Sequence, residues 1–110
     1  MTYAPKVLAG VLLLIAVTGP TMATRAQTAG NQEAGHRLVQ RWCAECHVVD
    51  TSGQGSDAAP AFTEIAQQHG KDEHWLRAWL TAPHPPMPNL NLSRVQIDNI
   101  IAYLRSLEPR

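Results

Sequence analysis

The chain has 110 residues, a formal net charge of zero, two cysteines and five histidines. This length predicts a single domain. Its basic residues form no stripe, so nothing in the sequence indicates a nucleic-acid-binding protein.

The first 26 residues have the pattern of a secretory signal peptide. Lys6 supplies a positive charge, an uncharged apolar run follows at residues 7–17, and small residues then lead to a cleavage bond. The apolar run is shorter than the roughly 20 residues that a membrane-spanning helix needs. We therefore predict a signal peptide at 1–26, removed on export, and a mature domain at 27–110. The alternative is a protein tethered to the membrane by an uncleaved N-terminal segment.

The rest of the chain predicts helices and loops, and no strand stands out. Four helical segments are predicted in chain order. The first spans about 32–42 after an Asn31 N-cap, and the second spans 60–68, opened by Pro60 and closed by Gly70. The third runs from an Asp72 N-cap to about Thr81, and the fourth runs from a Ser93–Gln96 capping box to near the C-terminus. In the last segment the apolar residues recur at helical spacing. The predicted fold class is all-α.

A proline-rich loop separates the third and fourth predicted helices. Four prolines between positions 83 and 88 remove backbone donors and fix the backbone, which excludes a helix. We expect a stiff extended loop that presents His84 and Met87.

The central motif is C-x-x-C-H, formed by Cys43, Cys46 and His47, and it is typical of haem attachment. Two intervening residues place the thiols at the separation of the two haem vinyl groups, with which they can form thioethers. The imidazole that follows then falls beneath the iron and can ligate it from the proximal side. We therefore predict one covalently bound haem c.

Three other uses of the two cysteines stay open on the residues alone. A disulfide would close a very short loop and would stabilise the domain little. A thioredoxin-like dithiol belongs with a βαβ pattern that this chain lacks. A zinc site would need further ligands from scattered histidines.

Around the motif, the sequence resembles the class I monohaem cytochromes c over about residues 33–107. In that family a glycine stands eight residues before the first cysteine, with a bulky residue midway, and an aromatic residue of the last helix meets the glycine. Gly35, Val39 and Tyr103 hold these positions, although the family usually has an aromatic residue where Val39 stands. The resemblance implies a small cytochrome c fold of three to four helices around the haem, with the first and last helices crossing.

The resemblance also implies further site residues. In the family, a proline about a dozen residues after the histidine accepts a hydrogen bond from the ligating imidazole through its carbonyl, and Pro60 matches it. An aromatic residue donates to a haem propionate in related cytochromes. We expect Trp79 to do so, the alternative being that Trp75 and Trp79 are core residues. The segment from Trp79 onwards resembles the family's distal segment, in which Met87 would be the second axial ligand.

Met87 is the expected distal ligand on the residues alone as well. Met1 and Met22 lie in the predicted signal peptide, so Met87 is the only thioether of the predicted mature chain. The alternative is a methionine that fills a gap in the core. His84 is the rival ligand, and a bis-histidine iron would have a lower potential, because the soft sulfur of methionine favours the ferrous state.

These residues predict an electron carrier and not an enzyme. With both axial positions filled by protein, the haem would offer no vacant site to a substrate. We expect a soluble periplasmic protein, not stably inserted in a membrane after signal cleavage, whose redox partner is a dehydrogenase, a quinol-oxidising complex or a terminal oxidase. One alternative is the cytochrome subunit of a periplasmic dehydrogenase complex. Another is a gas- or peroxide-binding protein with Met87 detached.

The charge of the predicted mature chain bears on how it would meet a partner. Loss of Lys6 and Arg25 with the signal leaves seven basic against nine acidic residues, a net charge of −2. Lys71 is then the only lysine, so the chain lacks the lysine ring by which some cytochromes c reach acidic partners. Docking should therefore depend only weakly on salt.

Overall fold

A computed structural model describes residues 1–2, 29–82 and 84–110. Within these ranges the chain forms four α-helices, α1 (Gln32–Trp42), α2 (Phe62–His69), α3 (Glu73–Thr81) and α4 (Arg94–Ser106). The same ranges contain isolated β-bridges but no strand. The predicted all-α class is therefore confirmed. The predicted signal peptide lies outside the described residues, apart from its first two positions.

Three of the helices begin at the predicted capping residues. The side chains of Asn31 and Asp72 each accept from the backbone N–H three residues on, at 2.8 Å in both cases. Ser93 and Gln96 form a capping box, in which each side chain accepts from the other residue's N–H, at 3.3 and 2.8 Å. These bonds satisfy N–H groups that the first turn of a helix leaves unpaired.

Helix α2 begins two residues later than the sequence predicts. Its first residue is Phe62, and Pro60 precedes the helix with its carbonyl oxygen directed to His47. At the other end, Gly70 caps the helix with a φ of −56° and does not adopt the left-handed conformation common for a glycine there. Close packing disfavours a side chain instead, since a Cβ on Gly70 would lie 2.5 Å from the carbonyl oxygen of Ala66.

The largest interface between helices joins α1 to α4. A Cβ on Gly35 would collide with the carbonyl oxygen of Asn99 and would lie 2.9 Å from Cβ of Tyr103. The predicted meeting of the glycine with the aromatic residue is therefore confirmed. Tyr103 is buried, and its hydroxyl donates to the carbonyl oxygen of Val49 at 2.7 Å. This bond ties α4 to the segment just after the C-x-x-C-H motif.

The hydrophobic core lies where the helices meet the segment that follows α1. Its buried members are Val39, Cys43, Val49, Phe62, Leu76, Ile97, Ile100, Ile101, Tyr103 and Leu104. Full burial of one large apolar side chain stabilises a fold by about 1.5–3 kcal/mol. The list includes Cys43, so one cysteine of the C-x-x-C-H motif belongs to the core. None of the helices in the described ranges has the length and apolarity needed to cross a bilayer.

Candidate haem-attachment site

The C-x-x-C-H residues form a tight turn directly after α1. The N–H of Cys43 donates to the carbonyl oxygen of Val39 at 2.9 Å, which ends the helix. The N–H groups of Cys46 and His47 then both donate to the carbonyl oxygen of Cys43, at 3.1 and 2.9 Å. One hydrogen-bonded turn, anchored to a packed helix, thus carries two thiols and an imidazole.

The two cysteines of the turn differ in their surroundings. Cys43 is only 8% exposed and packs in the core, whereas Cys46 is exposed. Burial, with a smaller contribution from the neighbouring Cys46, raises the pKa of Cys43 to about 11. Both cysteines are free, so the disulfide that the sequence left open is not formed.

The imidazole of His47 is held by the chain that precedes α2. Its Nδ1 lies 2.7 Å from the carbonyl oxygen of Pro60. Because a carbonyl oxygen can only accept, Nδ1 must carry the proton, and the lone pair of the ring is then on Nε2. The ring of Phe62 lies edge-on to the imidazole, with 5.3 Å between centroids. The hydrogen bond expected of Pro60 is thus present and leaves Nε2 free to ligate a metal.

The loop at residues 50–59 folds back over the motif. The N–H of Ala59 donates to the carbonyl oxygen of Cys46 at 2.7 Å. Gly55 has a φ of 118°, and a Cβ there would collide with the carbonyl oxygen of His47. A glycine is needed at this position because both the backbone conformation and the close approach exclude a side chain.

Met87 and His84 lie at the two ends of one turn in the proline-rich loop. The N–H of Met87 donates to the carbonyl oxygen of His84 at 3.0 Å, and both residues are half-buried. Nδ1 of His84 lies 3.0 Å from the carbonyl oxygen of Ala82. The imidazole of His84 also stacks on Trp79, with 4.1 Å between ring centroids. The structure therefore places both candidate distal ligands on the same turn.

Trp79 lies outside the cluster of buried residues that forms the hydrophobic core. Its side chain is 47% exposed, and its ring lies between those of Trp75 and His84. The stack continues to His69, whose ring centroid is 3.6 Å from that of Trp75. Sequence reasoning missed this arrangement, although tryptophans spaced i, i+4 share one helix face. The bond of Trp79 to a haem propionate stays a prediction.

The residues of the turn fit a covalently attached haem. The thiols of Cys43 and Cys46 and the Nε2 of His47 are the donor types that hold the haem in c-type cytochromes, and all three are uncommitted on one turn. The zinc alternative finds less support. Within the ranges that the structure describes, no three histidine, cysteine or acidic side chains cluster to hold a metal ion.

The chain is similar to known proteins over most of its length. Residues 32–108 match the family model described as cytochrome c. A curated protein, cytochrome c-552 of Bradyrhizobium diazoefficiens, is 38% identical over 104 residues, which cover 93% of this chain and 96% of the relative. No solved structure matches the chain significantly. The matched region includes both the C-x-x-C-H turn and the loop that carries Met87.

Proposed function

Because the chain belongs to the cytochrome c family, we propose that it is a periplasmic electron carrier with one haem, bound covalently through Cys43 and Cys46 and ligated by His47 and Met87. The observation that carries the proposal is the bond of His47 to Pro60, which leaves Nε2 available on the same turn as both thiols. A haem held in this way supplies reversible one-electron exchange at its iron.

The turn after α1 supports the proposed attachment. Cys46 is exposed and accessible, whereas Cys43 is packed in the core. A group bonded to Cys43 is therefore anchored to the rigid part of the domain and not to a loose loop. A chain of this size has a thin core, which benefits from a covalent staple.

His47 is suited to the proximal position by the bond that it makes. The Pro60 carbonyl holds the proton on Nδ1 and fixes the plane of the ring. A hydrogen bond on the outer nitrogen also makes the inner nitrogen a stronger donor. Phe62 packs against the imidazole in an edge-to-face arrangement and limits its rotation.

Met87 is the better of the two candidates for the distal position. It is the only methionine of residues 27–110, and its turn is closed by the bond to His84. The ring of His84 is engaged by its stack on Trp79 and its bond to Ala82. A soft thioether also favours the ferrous state, which suits a carrier of positive potential.

The proposed ligation decides the class of activity. Two axial ligands from the protein leave no position for a substrate, so the site suits electron transfer and not catalysis. The N-terminal sequence supports export to the periplasm, where the partners would be a dehydrogenase, a quinol-oxidising complex or a terminal oxidase. Such partners meet a carrier through small, transient contacts.

Haem attachment is tested by replacing both Cys43 and Cys46 with alanine in the chain produced alongside a haem-attachment system. We expect haem staining on a denaturing gel to disappear, because no thiol remains to form a thioether. The control is Glu45→Gln, which lies between the cysteines and is exposed. Haem staining that survives in the double variant contradicts covalent attachment at these residues.

The distal ligand is tested by Met87→Ala. We expect the oxidised protein to lose the far-red absorption band that reports charge transfer from sulfur to ferric iron. His84→Phe should keep the band, because it leaves the thioether in place. A band that persists in Met87→Ala rules out Met87 as the ligand and, with it, this part of the proposal.

Cell fractionation and size-exclusion chromatography test whether the protein is exported and whether it is free or part of a complex. We expect the periplasmic fraction to contain a protein whose N-terminus lies near Gln27 and whose haem absorbance elutes from a sizing column at the position of a monomer. An intact N-terminus in the membrane fraction would favour the tethered alternative. Elution with a much larger protein would favour a subunit of a dehydrogenase complex.

A further inference from the structure

Four aromatic rings form a continuous stack along one side of α3. The centroid distances are 3.6 Å from His69 to Trp75, 5.0 Å from Trp75 to Trp79, and 4.1 Å from Trp79 to His84. The first three rings are nearly parallel, with interplanar angles of 9° and 11°, and the last is tilted by 32°. The stack therefore links the end of α2 to the loop that carries Met87.

His84 is the point at which this stack meets the distal turn. Its ring lies on Trp79, its Nδ1 lies 3.0 Å from the carbonyl oxygen of Ala82, and its own carbonyl oxygen accepts from Met87 at 3.0 Å. Since the carbonyl of Ala82 can only accept, Nδ1 is the donor in that bond. His84 is thus held through its ring face, its ring edge and its backbone.

Residues 84–88 have few backbone donors with which to hold their shape. Pro85, Pro86 and Pro88 have no N–H to donate. Within residues 84–88, the bond from Met87 to His84 is the one backbone hydrogen bond. The contacts of His84 therefore bear directly on the orientation of this turn.

We propose that His84 is a positioning residue, which orients the turn that presents Met87 by stacking on Trp79 and bonding to Ala82. The inference rests on the proposed ligation by His47 and Met87. A donor held in its bound orientation loses little conformational freedom on binding, so it is displaced less readily than the same donor on a loose loop. His84 thus acts on the iron through Met87 and not as a ligand itself.

The test measures how fast added imidazole displaces the Met87 thioether in the oxidised holoprotein, followed as loss of the far-red band. We expect His84→Ala to accelerate displacement by about threefold to tenfold, which is the factor that corresponds to the free energy of one aromatic contact. His84→Phe keeps the ring but not the Nδ1 donor, so its rate should fall between those of His84→Ala and the unaltered protein. His84→Leu also lacks the aromatic ring and the Nδ1 donor but fills more of the space, so it should resemble His84→Ala and preserves the test if His84→Ala does not fold.

The matched control is His69→Ala, at the other end of the same stack. His69 also stacks on a tryptophan, with 3.6 Å between its ring centroid and that of Trp75, but within the described residues it has no backbone bond to the Met87 turn. A role in general stability would give His69→Ala and His84→Ala similar effects. A positioning role predicts faster displacement in His84→Ala but not in His69→Ala, together with faster hydrogen exchange of the Met87 amide in His84→Ala.

Met87→Ala, measured in the same experiment, distinguishes failure of the proposed ligation by Met87 from failure of the positioning role of His84. If Met87→Ala keeps the far-red band, the proposed ligation fails whatever the His84 variants do. If Met87→Ala loses the band but His84→Ala and His84→Leu show the original rate of displacement, the ligation stands and the positioning role is wrong. If His84→Ala leaves the iron without a sixth ligand while Met87→Ala does not, His84 is a ligand, and both proposals are overturned.

Discussion

Gly35 and Tyr103 lie in direct contact where α1 crosses α4, so close that a Cβ on Gly35 would be 2.9 Å from Cβ of Tyr103. The phenol then reaches Val49, two residues after His47, and its hydroxyl donates to the carbonyl oxygen there at 2.7 Å. The crossing thus connects the packed helix pair to the segment that carries His47, the proposed proximal ligand. Changes at either residue should therefore affect the turn that carries Cys43, Cys46 and His47.

Gly35→Ala should destabilise the protein by about 3 kcal/mol or more, because the added Cβ collides with the backbone of α4 at Asn99. Helix propensity alone predicts that Gly35→Ala stabilises the protein, since alanine is favoured over glycine inside a helix by about 1 kcal/mol. Denaturant unfolding of the holoprotein measures the difference. The control, Gln32→Ala on the exposed side of α1, should stay within about 0.5 kcal/mol of the unaltered protein. An unchanged midpoint for Gly35→Ala would contradict the close approach.

Tyr103→Phe should cost about 1–3 kcal/mol, because it leaves the buried carbonyl oxygen of Val49 without its donor. The ring that stacks on His36 is kept, at a centroid distance of 4.7 Å in the unaltered protein, so packing changes little. The measurement is again denaturant unfolding at neutral pH. Equal stability of the two proteins would mean that this bond contributes nothing.

The ionisation of Tyr103 should make the protein less stable at alkaline pH. Burial, and secondarily the carboxylate of Asp50, raises the pKa of Tyr103 above its ordinary value of 10.0. A raised pKa in the folded state means stability that is fully present below 10.0 and is lost as the pH rises through the raised value. Unfolding midpoints from about pH 8 to pH 11 should therefore fall less steeply in Tyr103→Phe than in the unaltered protein. If the unfolding midpoints of the two proteins depend on pH in the same way, the ionisation of Tyr103 does not contribute to the loss of stability.

The sequence predicted the helices well because their signals are local. The N-caps at Asn31, Asp72 and Ser93 act within three residues, and apolar spacing is a property of the segment itself. The start of α2 was wrong by two residues because Pro60 suits both a first helical turn and the chain ahead of it. A tertiary bond, from His47 to the Pro60 carbonyl, decides between them.

The arrangement around the distal loop was harder to predict, since it joins residues from three separate segments. The exposure of Trp79 depends on where the loop places His84, and the stack also needs the end of α2 to bring up His69. Residue spacing within α3 indicates only that Trp75 and Trp79 share a face. Contacts of this kind follow from the packing of loops, for which the sequence has no periodic signal.

Arg77 joins α3 to α4, so loss of its partner should loosen this contact. Its guanidinium lies 2.7 Å from the carboxylate of Asp98 and 3.0 Å from that of Glu73, and these carboxylates raise the pKa of Arg77. Asp98→Asn should cost about 1 kcal/mol, since the pair is partly exposed, and the cost should shrink as salt is added. Glu33→Gln, which breaks an exposed pair within α1, is the control and should cost less. A loss that does not respond to salt would contradict an ionic origin.

Asp50 shapes the loop that follows the motif, and its titration should make that loop sensitive to acid. Its carboxylate accepts from the hydroxyl of Ser52 at 2.6 Å and from the N–H groups of Ser52 and Gln54 at 2.9 and 3.1 Å. These bonds, the hydroxyl bond first, lower the pKa of Asp50 from its ordinary 3.8. The stability they add is therefore fully present above pH 3.8 and is lost as the pH falls through the lowered value. Amide exchange at Gln54 should accelerate in that range beyond the intrinsic effect of pH, and Asp50→Asn, whose side chain accepts but does not titrate, should lack this change. Identical acid profiles of the two proteins would show that Asp50 does not link the loop to pH.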